Sequence, residues 1–318
     1  MTPAIETHGV TKQYRSLVAL DSLTITVQPG EVVGVLGPNG AGKTTAVRVL
    51  TTILLPSRGS FAVDGIPHTQ PTEIRRRIGV LPESAGYPER QTGEEHLRYH
   101  ARLYGHSRSS ARTVAQALLE DVGLSDRRRS LIATYSRGMR QRLGIGRALV
   151  NDPRVIFLDE PTLGLDPAGQ RHILRNVRRI AAERGAAVLL STHLLAEVEE
   201  HCSRVLILNR GRVVAKGTVS EIARRAAAPR SGRLHVAPEH AVRAASALSA
   251  SRVVQEVGRA DGQPGWLTVL FAPAGKHTEN GSPNDAVRSL LDAGVTLFSF
   301  ELEGARLSDA FLAMTEGA

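Results

Sequence analysis

The nine residues GPNGAGKTT (37–45) match the pattern G-x-x-x-x-G-K-[ST] and stand between an apolar run, EVVGVLG (31–37), and a helical stretch. A glycine-rich turn in that setting lets backbone N–H groups point inward around an anion. The positive end of the following helix faces the same point. Read this way, Gly37, Pro38, Asn39, Gly40, Ala41, Gly42, Lys43, Thr44 and Thr45 form a cradle for nucleotide phosphates. Lys43 reaches the β- and γ-phosphates, and Thr44 offers its hydroxyl to Mg²⁺. A chance glycine-rich turn is the plainer alternative, and the full pattern between strand and helix disfavours it.

Two more continuous apolar runs, VIFLDE (155–160) and AVLLST (187–192), have the length of strands covered on both faces by helices. Together they predict an α/β core with a largely parallel sheet. VIFLDE ends in two acids: Asp159, which can hold Mg²⁺, and Glu160, which can polarise an attacking water. Alone they could be helix-capping acids. Between the first two runs lies a helical insert, in which Thr92 and Glu95 make a capping box and Val114, Leu118 and Val122 recur at helical spacing. After VLILNRGRVVAKGT, a hairpin turning at 209–211, the stretch ARRAAAPRSGR reads as a linker.

The expected domains are therefore 1–225 (with the helical subdomain at about 84–150), a linker at 226–233, and a C-terminal domain at 234–318. In the last, strands at 234–236, 253–257, 266–271 and 295–301 alternate with helices at 239–250 and 284–293. That βαββαβ order suits a small ferredoxin-like α+β sandwich, closed by a helix near 307–315. This domain carries no paired acids and no ligand cluster, so its expected role is to stabilise or regulate an assembly.

A chain of 318 residues with 42% hydrophobic residues can bury a substantial core. Its apolar runs fall far short of the roughly 20 residues that cross a bilayer. The start, MTPAIETHGVTKQY, lacks the features of a signal peptide, and Cys202 is the single cysteine, which excludes an internal disulfide and fits a cytoplasmic protein. A formal charge of +9 admits an anionic partner, either nucleic acid or a membrane face. Lysine occurs only at Lys12, Lys43, Lys216 and Lys276, so the charge is mostly arginine, and clusters such as RRR (75–77) and RRR (127–129) read as solvated surface.

The motifs follow one another as in the ATP-binding subunits of ABC transporters, and the resemblance spans about 5–218. It implies that Tyr14 in TKQY stacks on adenine and that Glu83 in IGVLPES stands at the loop where the family carries glutamine, near the metal and the attacking water. Asp166 in LGLDP matches the family's D-loop, and His193 in STHLLAEVE its switch histidine. YSRGMRQR (135–142) occupies the place of the family's signature, so Ser136 and Gly138 would contact the γ-phosphate held by the opposite subunit. Physically this is reasonable, because a serine opening a helix leaves free N–H groups and a dipole that favour an anion. Arg137 replaces the first glycine of the usual pair, and Glu83 the usual glutamine. Both variants, and an ending similar to ARLSDAFLAMTEGA, resemble the daunorubicin-resistance-like subclass that powers drug and antibiotic export.

The implied activity is ATP hydrolysis with Mg²⁺, with Glu160, His193 and Lys43 as catalytic residues and Thr44, Glu83 and Asp159 around the metal. The implied assembly is a homodimer, peripheral on the inner face of the cell membrane beneath a separately encoded permease that 83–90 would contact, with no nucleic acid expected. The alternatives are a soluble ABC ATPase acting on nucleic acid or ribosomes, and an importer subunit. Against the first, there is neither a long coiled coil between the motifs nor a second cassette.

Overall fold

The computed structural model describes residues 2–84, 86–225, 231–259, 263–271 and 283–303, with Leu307, Phe311, Met314 and Thr315. It divides into two compact units, Met1–Val219 and Ser220–Ala318.

The first unit opens with strands β1 (Ile5–Tyr14), β2 (Leu17–Leu23), β3 (Thr26–Val27) and β4 (Val32–Leu36), then α1 (Lys43–Leu50). Next come β5 (Arg58–Val63), β6 (Ile66–Pro67), α2 (Pro71–Arg77) and β7 (Ile78–Leu81). The helical insert is α3 (Gly93–Leu103), α4 (Arg108–Asp121) and α5 (Arg137–Ala148). Then follow β8 (Val155–Asp159), α6 (Pro167–Arg184), β9 (Ala187–Thr192), α7 (Leu195–His201), β10 (Arg204–Asn209) and β11 (Arg212–Thr218).

These strands make a six-stranded sheet in the order β11-β10-β4-β9-β8-β7, parallel except for the β10–β11 hairpin at its edge. The apolar runs are continuous because each central strand serves two cores. On β8, Val155 and Phe157 join the cluster that includes Val47 and Leu50 of α1, while Ile156 and Leu158 join the one that includes Leu97 of α3 and Leu143 of α5. Each such apolar side chain contributes about 1.5–3 kcal/mol by burial. A second, antiparallel sheet, β2-β1-β5-β6 with β3 on β1, shares the first core through Ile5, Val10, Leu20 and Val63.

The capping box forms as the spacing predicts: Glu95 N–H donates to Thr92 Oγ1 at 3.2 Å, and Thr92 N–H to Glu95 Oε2 at 2.8 Å. In the β10–β11 turn, Arg210 and Gly211 both adopt positive φ, at 48° and 81°, as a two-residue hairpin loop requires.

The second unit begins with α8 (Val219–Arg225), whose first residue falls in the first unit, and runs β12 (Ser231–Val236), α9 (Ala241–Ser249), β13 (Val254–Arg259), β14 (Trp266–Phe271), α10 (Pro283–Asp292) and β15 (Leu297–Glu303). Its sheet order, β13-β14-β12-β15, is antiparallel throughout and is that of a ferredoxin-like sandwich. The unit boundary lies before the expected 225. Strand β12 starts inside the segment read as linker, because it is a central strand pairing on both sides. Gly232 looks like a breaker in the sequence, yet a Cβ there would lie 3.1 Å from the Phe300 ring and 3.2 Å from the Phe271 ring. Residues 226–230 of the expected linker, and most of the expected closing helix at 307–315, lie outside the described residues. Among the described residues, no helix is long and apolar enough to cross a membrane.

Candidate nucleotide site

Strand β4 is buried along its whole length and delivers the chain at Leu36 into the glycine-rich turn. Two glycines there are needed on steric grounds. A Cβ on Gly37 would lie 2.4 Å from the Leu208 carbonyl oxygen, and one on Gly42 would lie 2.5 Å from that of Ala19. Gly42 also adopts φ 102° where it caps α1, a conformation that a side chain would strain. The hairpin loop clamps the turn from outside, with Gly211 N–H donating to the Ala41 carbonyl at 3.0 Å.

Lys43 opens α1 with its side chain almost wholly buried, and its Nζ donates to the carbonyls of Gly37 at 2.7 Å and Pro38 at 3.2 Å. The same Nζ stands 3.6 Å from Glu160 Oε1. On its other side the Glu160 carboxylate meets His193 Nδ1 at 2.8 Å. A buried carboxylate is therefore flanked by an ammonium and an imidazole, which offsets the cost of taking it out of water. The Glu160 backbone is left-handed, φ 49°, which is rare for a residue with a side chain and clusters at functional sites. It is held there by Ser191, whose Oγ and carbonyl oxygen accept the Glu160 N–H at 3.0 and 3.1 Å.

Asp159, at the end of β8, accepts hydrogen bonds on Oδ1 from Ser191 Oγ at 2.5 Å and Thr44 Oγ1 at 3.3 Å. Among the described residues no group of three His, Cys, Asp or Glu side chains could hold a metal by itself. A hydroxyl beside a single carboxylate suits Mg²⁺, which takes few protein ligands and completes its shell with phosphate oxygens and water.

These groups open onto a cavity of ≈ 980 Å³, the size of a cofactor site. Tyr14, Asn39, Gly40, Ala41, Gly42, Lys43, Thr44, Thr45, Glu83, Glu160 and His193 line it. Tyr14 is 41% exposed at the cavity mouth, with Lys12 Nζ 5.2 Å from the ring centroid. Gly37 and Pro38 contribute through the carbonyls that hold Lys43, and Asp159 lies behind Thr44.

Ser136, Gly138 and Asp166 are elsewhere, on a separate cavity of ≈ 550 Å³. Ser136 caps α5 by accepting the Met139 N–H at 3.2 Å, and Asp166 caps α6 by accepting the Gly169 N–H at 2.8 Å. The Arg137 guanidinium packs on Gly164, where a Cβ would stand 2.3 Å from its Cζ. Arg137 also reaches a third cavity, which it shares with Glu83 and Glu160.

Arg48, Leu163 and Arg210 line the large cavity, and Ser191 orients both acids, yet the sequence reading names none of them. Ser191 had a signal: it is a polar residue ending the apolar run AVLLS, beside the motif histidine. Arg48 and Arg210 had none beyond charge, since each is one arginine among many.

The family model described as ABC transporter matches residues 20–163. The chain is 43% identical over 222 residues to the daunorubicin/doxorubicin resistance ATP-binding protein DrrA of Streptomyces peucetius, covering 70% of this chain and 67% of that protein. It is 36% identical over 315 residues to the daunorubicin resistance ATP-binding protein DrrA3 of Streptomyces coeruleorubidus, covering 98% and 96%. Among solved structures, an ATP-binding subunit of an ABC transporter superposes with a TM-score of 0.63 at 36% identity, covering 70% of this chain and 93% of that one. A dimeric post-hydrolysis state of the ATP-binding cassette MJ0796, bound to ADP and Pi, superposes with a TM-score of 0.62 at 25% identity, covering 67% and 98%. A relative that matches nearly end to end, joined to a glycine-rich turn whose lysine faces a buried acid, makes this chain an ABC transporter ATP-binding protein and an ATPase.

Proposed function

We propose that two copies of the chain close on ATP and Mg²⁺ to drive a separate membrane permease that exports a drug, antibiotic or other hydrophobic compound. The observation that carries this reading is the division of the motif residues between two cavities of one chain. One holds a phosphate cradle with an acid and a histidine. The other presents a capped helix N-terminus, with Ser136 and Gly138, and has no cradle of its own. Each is chemically half of a phosphoryl-transfer site, and a second copy supplies the complement.

In this reading Lys43 and the α1 N-terminus hold the β- and γ-phosphates, and Tyr14 stacks on the base. Thr44 and Asp159 would hold Mg²⁺ beside the phosphates, with Glu83 at its edge, and the ion would supply charge neutralisation there. Glu160 orients and polarises the attacking water, while His193, 2.8 Å from it, keeps that carboxylate aimed and contacts the γ-phosphate. ATP binding closes the dimer and hydrolysis reopens it, a switch that the permease reads through residues 83–90 at the inner face of the membrane. The names of the relatives support a drug as cargo. Co-purifying the chain with the membrane protein encoded beside it, and measuring ATPase activity against a panel of hydrophobic drugs, tests this. Stimulation by at least one compound is expected, and a flat response in an otherwise active complex would remove the export reading.

Arg137→Gly is expected to leave the affinity of the monomer for ATP within about twofold of wild type, since the residue serves the site of the other copy. Equilibrium titration of the monomer checks this, and a large loss would assign Arg137 to its own site across the third cavity.

The C-terminal unit stabilises or regulates the dimer in this proposal and takes no part in the chemistry. Ending the chain after Ala228 is expected to preserve ATP binding. A truncated protein that melts cooperatively yet binds no ATP would contradict that.

A further inference from the structure

Behind the turn that carries His193, helix α7 presents Glu197 with only 5% of its surface exposed. Its Oε2 accepts a hydrogen bond from Thr192 Oγ1 at 2.6 Å, and Thr192 Oγ1 itself accepts one from the Leu194 N–H at 3.0 Å. These two bonds bracket His193. The other carboxyl oxygen, Glu197 Oε1, is buried without an aligned hydrogen-bond partner among the described residues, and so is Thr162 Oγ1. The Thr162 hydroxyl stands beside this carboxyl, so two orphaned polar atoms occupy one place. Among the described residues, no Lys, Arg or His nitrogen lies within 4.0 Å of the carboxyl.

Leaving both atoms unmade is costly, and an ionised carboxylate buried without a cation is costlier still. Burial pushes the Glu197 carboxyl above the ordinary carboxylate range, and the nearby Glu160 charge adds to the effect, while the hydroxyls of Thr162 and Thr192 and the more distant His193 act against it. Cys202, at the end of the same helix, is itself pushed up to about 12 by burial and brings no charge. Either form of the carboxyl could bond both hydroxyls, but only the neutral one leaves no buried charge without a cation. A proton on Oε1 gives Thr162 Oγ1 a donor, and Oε2 stays free to accept from Thr192.

We infer that Glu197 is a neutral carboxylic acid bridging Thr162 and Thr192, and that it is a positioning residue joining the turn after Glu160 to the turn that carries His193. Thr162 is two residues beyond Glu160 and Thr192 is one before His193, so the bridge fixes the two segments whose side chains meet at 2.8 Å. The inference rests on the assignment of Glu160 and His193 to hydrolysis proposed above.

The test compares Glu197→Gln and Glu197→Ala in the full chain, with Glu160→Gln and His193→Ala as references. Glutamine reproduces the neutral bridge, its amide donating to Thr162 and its oxygen accepting from Thr192, and should keep kcat within about threefold of wild type. Alanine removes the bridge and should lower kcat by roughly 10–100-fold with KM for ATP little changed, because the residue touches no nucleotide. The infrared difference spectrum of wild type minus Glu197→Gln at neutral pH should contain a protonated-carboxyl carbonyl band. Absence of that band overturns the inference, as does an alanine variant with wild-type kcat or a glutamine variant as impaired as alanine. If the alanine variant does not melt cooperatively, the glutamine variant and the infrared band decide. Wild-type hydrolysis by Glu160→Gln and His193→Ala would instead remove the reading of the site, while the band still reports on the bridge.

Discussion

Glu160→Gln is expected to bind ATP normally and to hydrolyse it roughly 10²–10⁴-fold more slowly than wild type. The substitution keeps the length of the side chain and the backbone environment, so the left-handed residue and its bonds to Ser191 persist. What it removes is the negative charge standing 3.6 Å from Lys43 Nζ and 2.8 Å from His193 Nδ1. In the proposed reading that charge orients and polarises the attacking water, while the neighbouring Asp159 already accepts from Thr44 and Ser191. Lys43, Thr44 and Asp159 remain, so affinity for ATP should stay within a few fold. Single-turnover hydrolysis, measured beside an ATP titration, checks both halves. An unchanged rate would give the water to another group.

Lys43→Ala should weaken ATP binding by at least about 10²-fold, because charge-assisted bonds to two phosphates at about 1.5–3 kcal/mol each are lost. The lysine is already gathered by the carbonyls of Gly37 and Pro38, so little reorganisation separates it from a bound phosphate. Its loss also leaves the buried Glu160 with His193 as its one ion partner among the described residues. For a buried pair stripped of one partner, a stability loss of up to about 3 kcal/mol is expected. A melting curve therefore accompanies the titration. Wild-type affinity in a folded variant would refute the assignment of the cradle.

The parallel sheet was legible in the sequence because its strands face two cores and so read as unbroken apolar runs. Thr92 and Glu95 announced their helix through a local rule. The alternation of strands and helices beyond 234 announced the sandwich. Strand β12 was misjudged at its start because Gly232 answers a tertiary demand, room for Phe271 and Phe300, that local propensity cannot express. Ser191 was passed over for a similar reason. Its importance comes from the pairing of β9 beside β8, which sets Asp159 opposite Ser191, and pairing order is not written in either strand. The motifs named Lys43, Thr44, Asp159, Glu160 and His193 as candidates, and the fold brings them together, but neither the strained backbone at Glu160 nor the packing of Arg137 on Gly164 follows from spacing.

The most direct test of a site completed by a second copy is light scattering on Glu160→Gln with and without ATP and Mg²⁺, repeated after adding Ser136→Ala. Slow hydrolysis should hold the single variant as a dimer in ATP and a monomer without it. In the double variant ATP should still bind each monomer, since Ser136 lies outside the large cavity, while dimerisation weakens. A double variant that dimerises as tightly as the single one would contradict closure of the Ser136 helix over the partner's nucleotide.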